Sequence, residues 1–245
     1  MRKYRQNMGT SEGLQSIPKV PLFHYRRIRF WKFIDWHGSK KDFRLIKQLF
    51  DVLASMIGLI ILSPIILIAA VISVISQGFP IFFHHERLGR DGFPFTMVKF
   101  RTMDNGHSLS AKHDITRLTP WGRVLRRTSI DELPVLFNVI KGDMSLVGPR
   151  PMPTKYLPRF NKSQIKRLNV KPGITGLAQV TGRNSLSWEE RFELDVKYVK
   201  QNSLIGDLII ILKTLFTVIK GKDVEASDQE IMPEFMGSKK EARKL

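Results

Sequence analysis

A single apolar segment dominates the hydrophobic pattern of this chain. Val52 to Ile75 is a run of 24 residues without a charged side chain, longer than the about 20 residues that cross a bilayer as a helix. The Ser63-Pro64 pair lies at its centre, and an internal proline removes a backbone hydrogen bond and bends a helix. The segment therefore predicts either one tilted spanning helix or two half-helices that enter and leave the membrane on the same side. The pattern alone does not favour either path.

The residues that follow this segment predict a β-hairpin. Phe79–Phe83 is an apolar run, Glu86–Gly92 is rich in turn residues, and Phe93–Met103 alternates between apolar and polar positions. Two strand-like runs joined by a short glycine-containing loop are typical of a hairpin. Its second strand would carry Lys99 and Arg101.

Three later patterns predict helices. Ser129-x-x-Glu132 and Ser187-x-x-Glu190 both have the spacing of a capping box, so each predicts a helix start. The second helix is expected to continue through about Val199. Leu204–Ile219 is apolar at helical spacing but short for a membrane span, which predicts a core or interfacial helix.

Charge and composition narrow the class of partner. The net charge of +18 and the pI near 10.3 call for acidic partners, either nucleic acid or the anionic lipids and phosphorylated substrates of a membrane surface. The segment Phe23–Trp36 interleaves aromatic and basic residues, which suits a lipid headgroup layer and an RNA-binding arm equally well. The absence of cysteine excludes disulfides and thiolate metal sites.

The candidate chemistry lies in the segment Arg123–Pro134. It places the adjacent carboxylates Asp131 and Glu132 directly after three arginines, Arg123, Arg126 and Arg127. Arginines and free helix N–H groups could hold phosphate oxygens, while a carboxylate acts as nucleophile or metal ligand. The simpler interpretation is that Glu132 only caps a helix and Asp131 only favours its dipole.

Two further loops carry candidate ligand-binding features. Arg150 stands between Pro149 and Pro151, which is a rigid way to aim a guanidinium. Glycines are closely spaced between Lys171 and Asn184, where the backbone could approach a ligand, although such a loop is more often a set of turns.

Six features in order resemble the monotopic phosphoglycosyl transferases, a family of bacterial sugar transferases. The resemblance covers roughly residues 45–220, and the chain resembles the short, catalytic-only members. The features are Lys47-x-x-x-Asp51, the Ser63-Pro64 apolar segment, Lys99–Met103, Arg126–Pro134, Gly142–Pro151 and Lys171–Asn184.

This resemblance implies a specific reaction at the two acids. Asp131 matches a nucleophile that attacks the β-phosphate of a UDP-sugar, releases UMP and carries the phosphosugar until polyprenol (undecaprenyl) phosphate takes it. Glu132 matches a Mg²⁺ ligand. The basic residues that match or neighbour phosphate- and donor-binding positions are Lys99, Arg101, Arg126, Arg150 and Arg183.

The resemblance also implies a fold and a location. The expected fold is α+β and mainly helical, with a re-entrant helix-break-helix at Ser63 and Pro64 and a small β-hairpin, bound to the bacterial inner membrane with its site on the cytoplasmic face. The expected divisions are a basic, aromatic extension at 1–44, the membrane hairpin at 45–77, a catalytic domain with interfacial helices at 78–220 and a loose polar tail at 221–245. Anionic lipids are expected partners, nucleic acid is not, and a homodimer is left open.

Overall fold

The structure, a computed structural model, describes residues 40–104, 117–182, 186–220 and 234–237. The chain divides into two units at Phe43 and Arg44. Of the first unit only the helical residues Lys40–Phe43 are described, so the aromatic arm Phe23–Trp36 lies outside the described residues. The rest of this description concerns the second unit.

Helix α1, Lys40–Gln77, contains the whole apolar segment, with Pro64 inside it. Pro64 has no N–H to donate to the carbonyl of Ile60, four residues earlier. The Ser63 hydroxyl donates to that carbonyl instead, at 2.8 Å. The expected helix-break-helix has no loop at Ser63-Pro64: α1 stays helical through Pro64, since a neighbouring side chain supplies the missing donor, and the expected break can only be a bend within the helix.

Most apolar side chains of α1 face away from the protein. Ile60 and Ile75 are 72% and 80% exposed, whereas the residues of α1 that are fully buried are small or polar: Asp51, Ser55, Ala69 and Ser73. Among the described residues, this helix is long and apolar enough to cross a membrane.

Both ends of α1 are attached to the same unit by polar contacts. Near its start, Lys47 Nζ lies 2.5 Å from Asp207 Oδ2, and the Ser145 hydroxyl donates to Asp51 at 2.7 Å. Toward its end, the indole N–H of Trp121 donates to the Ser73 hydroxyl at 2.9 Å.

The predicted β-hairpin is confirmed. Strands β1, Phe82–Leu88, and β2, Pro94–Phe100, pair antiparallel, with Phe83 opposite Lys99. The turn between them is shorter than predicted, because the residues from Glu86 to Leu88 belong to β1.

Short helices and one parallel strand pair make up the rest of the described catalytic unit. They are α2 (Pro120–Arg127), a 3₁₀ helix (Ile130–Val135), α3 (Leu136–Ile140), β3 (Ser145–Val147), two 3₁₀ helices (Thr154–Arg159 and Gln164–Asn169), β4 (Gly173–Thr175), α4 (Leu177–Thr181), α5 (Trp188–Gln201) and α6 (Leu204–Lys220).

At Gly173, the glycine-rich segment between Lys171 and Asn184 allows close packing of two backbone strands. Strands β3 and β4 pair in parallel, and a Cβ on Gly173 would lie 2.0 Å from the backbone nitrogen of Gly148. No side chain fits at that distance. Gly173 is therefore needed for a close backbone approach within the protein.

The later helices follow the sequence pattern. The capping box of α5 is confirmed, since Ser187 Oγ accepts from the Glu190 N–H and Glu190 accepts from the Ser187 N–H. Helix α6 buries Asp207 and Ile210 and exposes an opposite apolar face that includes Phe216. This half-buried pattern is the one expected of an interfacial helix.

The expectation of a loose tail is wrong for residues 234–237. Phe235 is 2% exposed and belongs to a core cluster with Tyr156, Phe192 and other apolar residues. Its ring packs against the rings of Phe192 and Trp188, and such aromatic contacts are favourable beyond the area they bury.

Candidate active site

Three elements bring the predicted site residues together. Strand β2 carries Lys99 near its end, the 3₁₀ helix Ile130–Val135 carries Asp131 and Glu132, and the loop after β3 carries Arg150. Beneath them lies a buried apolar cluster that joins β2 to the 3₁₀ helix and α3: Met97, Val135, Val139 and Met144. The cluster fixes the distance between the lysine and the two carboxylates.

The turn at Ser129 sets the direction of the 3₁₀ helix that carries Asp131 and Glu132. Ser129 has φ 58° and ψ 16°, in the left-handed region, and its side chain makes no capping hydrogen bond. The predicted capping box is therefore wrong at this position. The Glu132 side chain that would complete it has stronger partners elsewhere, because two cations bind it.

Glu132 is held by Lys99 and Arg150. Its Oε1 accepts from Lys99 Nζ at 2.5 Å and from Arg150 Nη2 at 3.1 Å. Burial alone would raise the pKa of Glu132, but the adjacent Arg150 and Lys99 cations outweigh it and lower that pKa to about 2. Glu132 is therefore ionised throughout the physiological pH range.

Asp131 has the opposite surroundings. It is 9% exposed, and its carboxylate accepts no hydrogen bond from any residue that the structure describes. Burial, followed by the negative charge of Glu132, raises the pKa of Asp131 to about 6, although Lys99, Arg126 and Arg150 act against this rise. A desolvated carboxylate without hydrogen bonds is a better nucleophile than a solvated one.

Arg87 is a site residue that the sequence patterns did not indicate. It lies on β1 opposite Phe95. Positions 95, 97 and 99 of β2 alternate onto one face of the hairpin. Directly opposed residues share a face of a hairpin, so Arg87 lies on the face that also carries Lys99. The cue in the sequence was the strand alternation, which was missed because the turn was predicted to begin at Glu86.

The charge of Arg87 has no carboxylate partner among the described residues. Nη2 contacts His85 Nδ1 at 3.1 Å, and Nε is buried without a hydrogen-bond partner. Burial, followed by the Arg150 charge, lowers the pKa of Arg87 to about 10, while burial and the cations Arg87 and Lys99 lower the pKa of His85 to about 4. His85 is therefore neutral at physiological pH, and Arg87 retains its positive charge for an anion.

Arg150 is positioned through its backbone. The buried guanidinium of Arg167 donates to the Arg150 carbonyl at 2.7 Å and also to Asp195 Oδ2 at 2.7 Å. Nearby, the Leu88 N–H donates to the Met152 carbonyl at 2.8 Å, which joins the strand carrying Arg87 to the loop carrying Arg150.

The other predicted residues have different places. Arg126 donates from Nε to Thr102 Oγ1 at 3.0 Å and acts electrostatically on Asp131. Arg123 and Arg127 are exposed on α2. Arg101 is buried, and its guanidinium donates to the carbonyls of Gln77 and Gly78 at the end of α1; it is not brought into the cluster. Arg183 lies outside the described residues.

The donor set of the site fits Mg²⁺ that arrives with a phosphate. Both hydrogen bonds to Glu132 end on Oε1, which leaves Oε2 for a cation, and Asp131 offers a second carboxylate. No cluster of three or more metal-binding side chains occurs within the described ranges. Mg²⁺ commonly takes one or two carboxylates and completes its shell with water and substrate phosphates.

Comparison with known proteins points to one family. A family model described as bacterial sugar transferase matches residues 43–221. The uncharacterized sugar transferase EpsL of Bacillus subtilis is 44% identical over 196 residues, which are 79% of this chain and 97% of that protein. The exopolysaccharide production protein ExoY of Sinorhizobium fredii is 39% identical over 188 residues, which are 69% of this chain and 83% of that protein.

A longer relative has a name that states its reaction. The UDP-glucose:undecaprenyl-phosphate glucose-1-phosphate transferase of Klebsiella pneumoniae is 38% identical over 220 residues, which are 84% of this chain and 44% of that protein. The family match contains Lys99, Asp131, Glu132 and Arg150, and it ends before the docked segment 234–237.

Proposed function

This chain belongs to the bacterial sugar transferase family and is a transferase of phosphosugar groups, and we propose that it moves a sugar 1-phosphate from a UDP-sugar to undecaprenyl phosphate. The product would be a lipid diphosphate sugar of the kind with which exopolysaccharide assembly begins. The names of its relatives support the donor class, the acceptor class and the pathway class.

The observation that carries the mechanism is the contrast between the two adjacent acids. Glu132 is bound by two cations, whereas Asp131 is buried without a hydrogen bond from the described residues. Lys99 and Arg150 bind Glu132, and Glu132 also acts electrostatically on Arg87. These three cations outnumber the two carboxylates, which suits a substrate that brings a diphosphate.

In the first step, a carboxylate oxygen of Asp131 attacks the β-phosphorus of the UDP-sugar. A bond forms between that oxygen and phosphorus, the bond from the β-phosphorus to the bridging oxygen breaks, and UMP leaves with the bonding electrons. Lys99, Arg87 and Arg150 hold phosphate oxygens and stabilise the charge that moves to the leaving group.

In the second step, a phosphate oxygen of undecaprenyl phosphate attacks the same phosphorus. The bond to Asp131 breaks, and the carboxylate is regenerated. Glu132, with Asp131 as a second oxygen donor, would hold Mg²⁺. When bound, this ion would neutralise phosphate charge and so let an anionic nucleophile approach phosphorus.

We also propose that α1 enters the membrane and returns to the cytoplasmic side. The contacts of Lys47 and Asp51 at one end and of Ser73 at the other support this path, because all of them reach the same unit. A straight span would place the two ends on opposite sides of about 30 Å of hydrocarbon. The exposed apolar faces of α1 and α6 supply the surface that lipid would cover.

The deciding experiment is a donor panel. Purified protein is incubated with Mg²⁺, undecaprenyl phosphate and individual UDP-sugars, and UMP and the lipid product are followed by mass spectrometry. We expect UMP and a lipid diphosphate sugar from at least one donor. Release of sugar phosphate to water in place of transfer to lipid would indicate a hydrolase, and no UMP from any donor would refute the mechanism.

A further inference from the structure

Residues 234–237 form a contact that lies beyond the matched family segment. The match ends at residue 221, yet Phe235 is as buried as the innermost residues of the catalytic unit. The contact is therefore a feature of this chain for which the family match gives no account.

The pocket that receives Phe235 is aromatic. The ring of Phe235 lies 4.9 Å from that of Phe192, 5.7 Å from that of Trp188 and 5.8 Å from that of Tyr156, measured between centroids. Phe160 completes it at 6.0 Å. Edge-to-face and tilted ring contacts at these distances are favourable beyond the area they bury.

The rim of the pocket is basic, and it forms hydrogen bonds with the backbone of residues 234–237. Arg159 Nη1 donates to the Phe235 carbonyl at 2.6 Å and to Glu234 Oε1 at 2.7 Å. Lys155 Nζ also lies 2.9 Å from Glu234 Oε1. The Phe235 N–H donates to the Tyr156 hydroxyl at 3.3 Å. An anchor ring, a flanking acid and two backbone hydrogen bonds are how short peptide motifs are recognised.

The sequence of the segment complements the pocket. In a chain with net charge +18, the stretch from residue 223 to residue 234 contains no lysine or arginine. Its acidic residues are Asp223, Glu225, Asp228, Glu230 and Glu234. An acidic stretch that ends in Glu-Phe matches an aromatic pocket with a basic rim.

The pocket also supports the site cation Arg150. The rings of Phe160 and Phe192 cover the guanidinium of Arg167 at 5.6 Å and 5.3 Å, and Arg167 donates to the Arg150 carbonyl. Phe235 contacts both of these rings. Removing its side chain would free the rings that hold Arg167 in place.

The same apolar cluster lies beside the strand that carries Arg87 and the loop that carries Arg150. It contains Leu88, next to Arg87, and Met152, two residues after Arg150. Phe235 is thus joined to both cations through a single packed cluster.

We propose that this aromatic pocket is a binding site for a short acidic-aromatic peptide, that residues 234–237 of the chain itself are its ligand, and that occupancy of the pocket positions Arg150 for catalysis. Phe235 is then a positioning residue. The proposal builds on the proposed transferase function for its effect on turnover but not for the binding site itself.

The binding arm of the test uses the full-length Phe235→Ala protein and a fluorescein-labelled peptide with the sequence of residues 229–240. Fluorescence anisotropy should show saturable binding. The wild-type protein should bind the peptide at least about tenfold more weakly, because its own segment competes at high effective concentration. A peptide with alanine in place of the phenylalanine should not bind.

The activity arm measures UMP release. Phe235→Ala should lower kcat about tenfold, since small misplacement of a positioning group is costly to catalysis, and the unlabelled peptide should restore it. Both measurements are made well below the unfolding midpoint of the variant, where the loss of a residue that only contributes stability would leave kcat unchanged. Glu234→Lys, which leaves the apolar core intact, should lower kcat in the same direction, and Glu193→Lys is the matched control on an exposed face of α5.

Three results would overturn the proposal. The first is that the peptide does not bind the Phe235→Ala protein. The second is that it binds without restoring turnover. The third, which applies if Phe235→Ala does not fold, is that Glu234→Lys keeps full activity. A wild-type protein that releases no UMP would count against the transferase function instead, and the binding arm would still decide on the pocket.

Discussion

Asp131 and Glu132 are neighbours in the chain with opposite electrostatic surroundings. The two cations on Glu132 keep it ionised, whereas burial beside that charge keeps the pKa of Asp131 near 6. The two adjacent acids thus differ in pKa because of their partners, and the partners of Glu132 come from β2 and from the loop after β3.

Substitution of the two acids should separate these roles. Asp131→Asn should reduce UMP release by about 10³-fold or more, because a neutral amide cannot serve as the nucleophile. Glu132→Gln should also lower the rate and should raise the Mg²⁺ concentration needed for half-maximal activity. Both variants should stay in the membrane fraction. Turnover that survives the loss of the Asp131 charge would exclude it as nucleophile.

Arg87 should contribute to donor binding. Arg87 is buried, interacts electrostatically with Arg150 and has no carboxylate partner among the described residues. Replacing it with Gln removes this charge, so we expect KM for the UDP-sugar to rise about tenfold, in the range of one charge-assisted hydrogen bond. Arg90→Gln is the matched control, since Arg90 is half-exposed and pairs with Asp91 in the hairpin turn. Equal KM values for the two variants would remove Arg87 from the site.

Lys171 provides a pH test of stability. Burial, followed by the charge of Arg90, lowers the pKa of Lys171 to about 8 from 10.5. Since the folded pKa lies below the unfolded one, the unfolded chain binds more protons between pH 8 and 10.5, and this group makes stability rise with pH across that window.

Lys171→Met should therefore be more stable than the wild type at pH 7, by about 1–3 kcal/mol, and the difference should shrink toward pH 10. Denaturant midpoints of both proteins at the two pH values measure this. A difference that is the same at both pH values would contradict the pKa shift.

At the scale of elements, tertiary contacts and not local sequence determine how the 3₁₀ helix Ile130–Val135 begins. The sequence pattern predicted a capping box at Ser129 and a second at Ser187, and only the second forms. Glu190 is exposed and forms no ion pair with a residue that the structure describes, whereas Glu132 is bound by Lys99 and Arg150. The local spacing of serine and glutamate could not predict which glutamate would form an ion pair with a lysine on a strand distant in sequence.

The left-handed turn at Ser129 should be sensitive to branching at Cβ. Ser129→Val should cost about 1–2 kcal/mol, because a β-branched residue resists positive φ, and it should lower kcat by moving Asp131. Ser129→Gly, which favours that conformation, should retain both stability and activity. Thermal unfolding and UMP release measure the two effects. Equal behaviour of the two variants would show that the turn is not required.

Several elements were predictable because their signals are local. The long apolar helix, the hairpin, the capping box of α5 and the half-buried α6 all follow from periodicity, turn residues or capping chemistry. The parallel pairing of β3 with β4 and the burial of Phe235 were not predictable, because each depends on contacts between residues that are far apart in sequence. Arg87 was missed for a local reason, since the turn was predicted to begin at Glu86 and β1 continues to Leu88.

The same distinction applies to the site. Asp131, Glu132, Lys99 and Arg150 could be named from motifs and are brought together by the fold. Arg101 shares a motif with Lys99 but is turned to the end of α1, where it binds backbone carbonyls. Strand alternation would place Lys99 and Arg101 on the same face, since they are two residues apart, but β2 ends at Phe100 and the alternation does not extend to Arg101. The motif alone therefore does not say which of its cations reaches the substrate.

At the scale of the whole molecule, the path of α1 is the main prediction. The chain contains no cysteine, so single cysteines can be introduced without background. Leu45→Cys and Ser76→Cys lie at exposed positions near the two ends of α1. In sealed inverted membrane vesicles, an impermeant maleimide should label both, because a re-entrant helix keeps both ends on the cytoplasmic side.

Pro64→Ala is the matched comparison. It restores a backbone donor in the middle of the apolar segment and should favour a straight helix. We expect this substitution to shift one of the two cysteines toward protection from the reagent. Labelling of only one cysteine in the wild-type background would instead indicate a span.

The ion pair between Lys47 and Asp207 has a practical consequence for anyone who wants a detergent-free fragment. Asp207 is 1% exposed, and it receives hydrogen bonds from both Lys47 and the Tyr198 hydroxyl. A fragment that begins after α1 would lack Lys47 and would leave the buried carboxylate of Asp207 without its counter-ion. An unpaired buried charge is strongly destabilising. Helix α1 is thus a structural component of the globular part, and designs for a detergent-free protein should replace its outward-facing apolar side chains and keep the residues that face the rest of the unit.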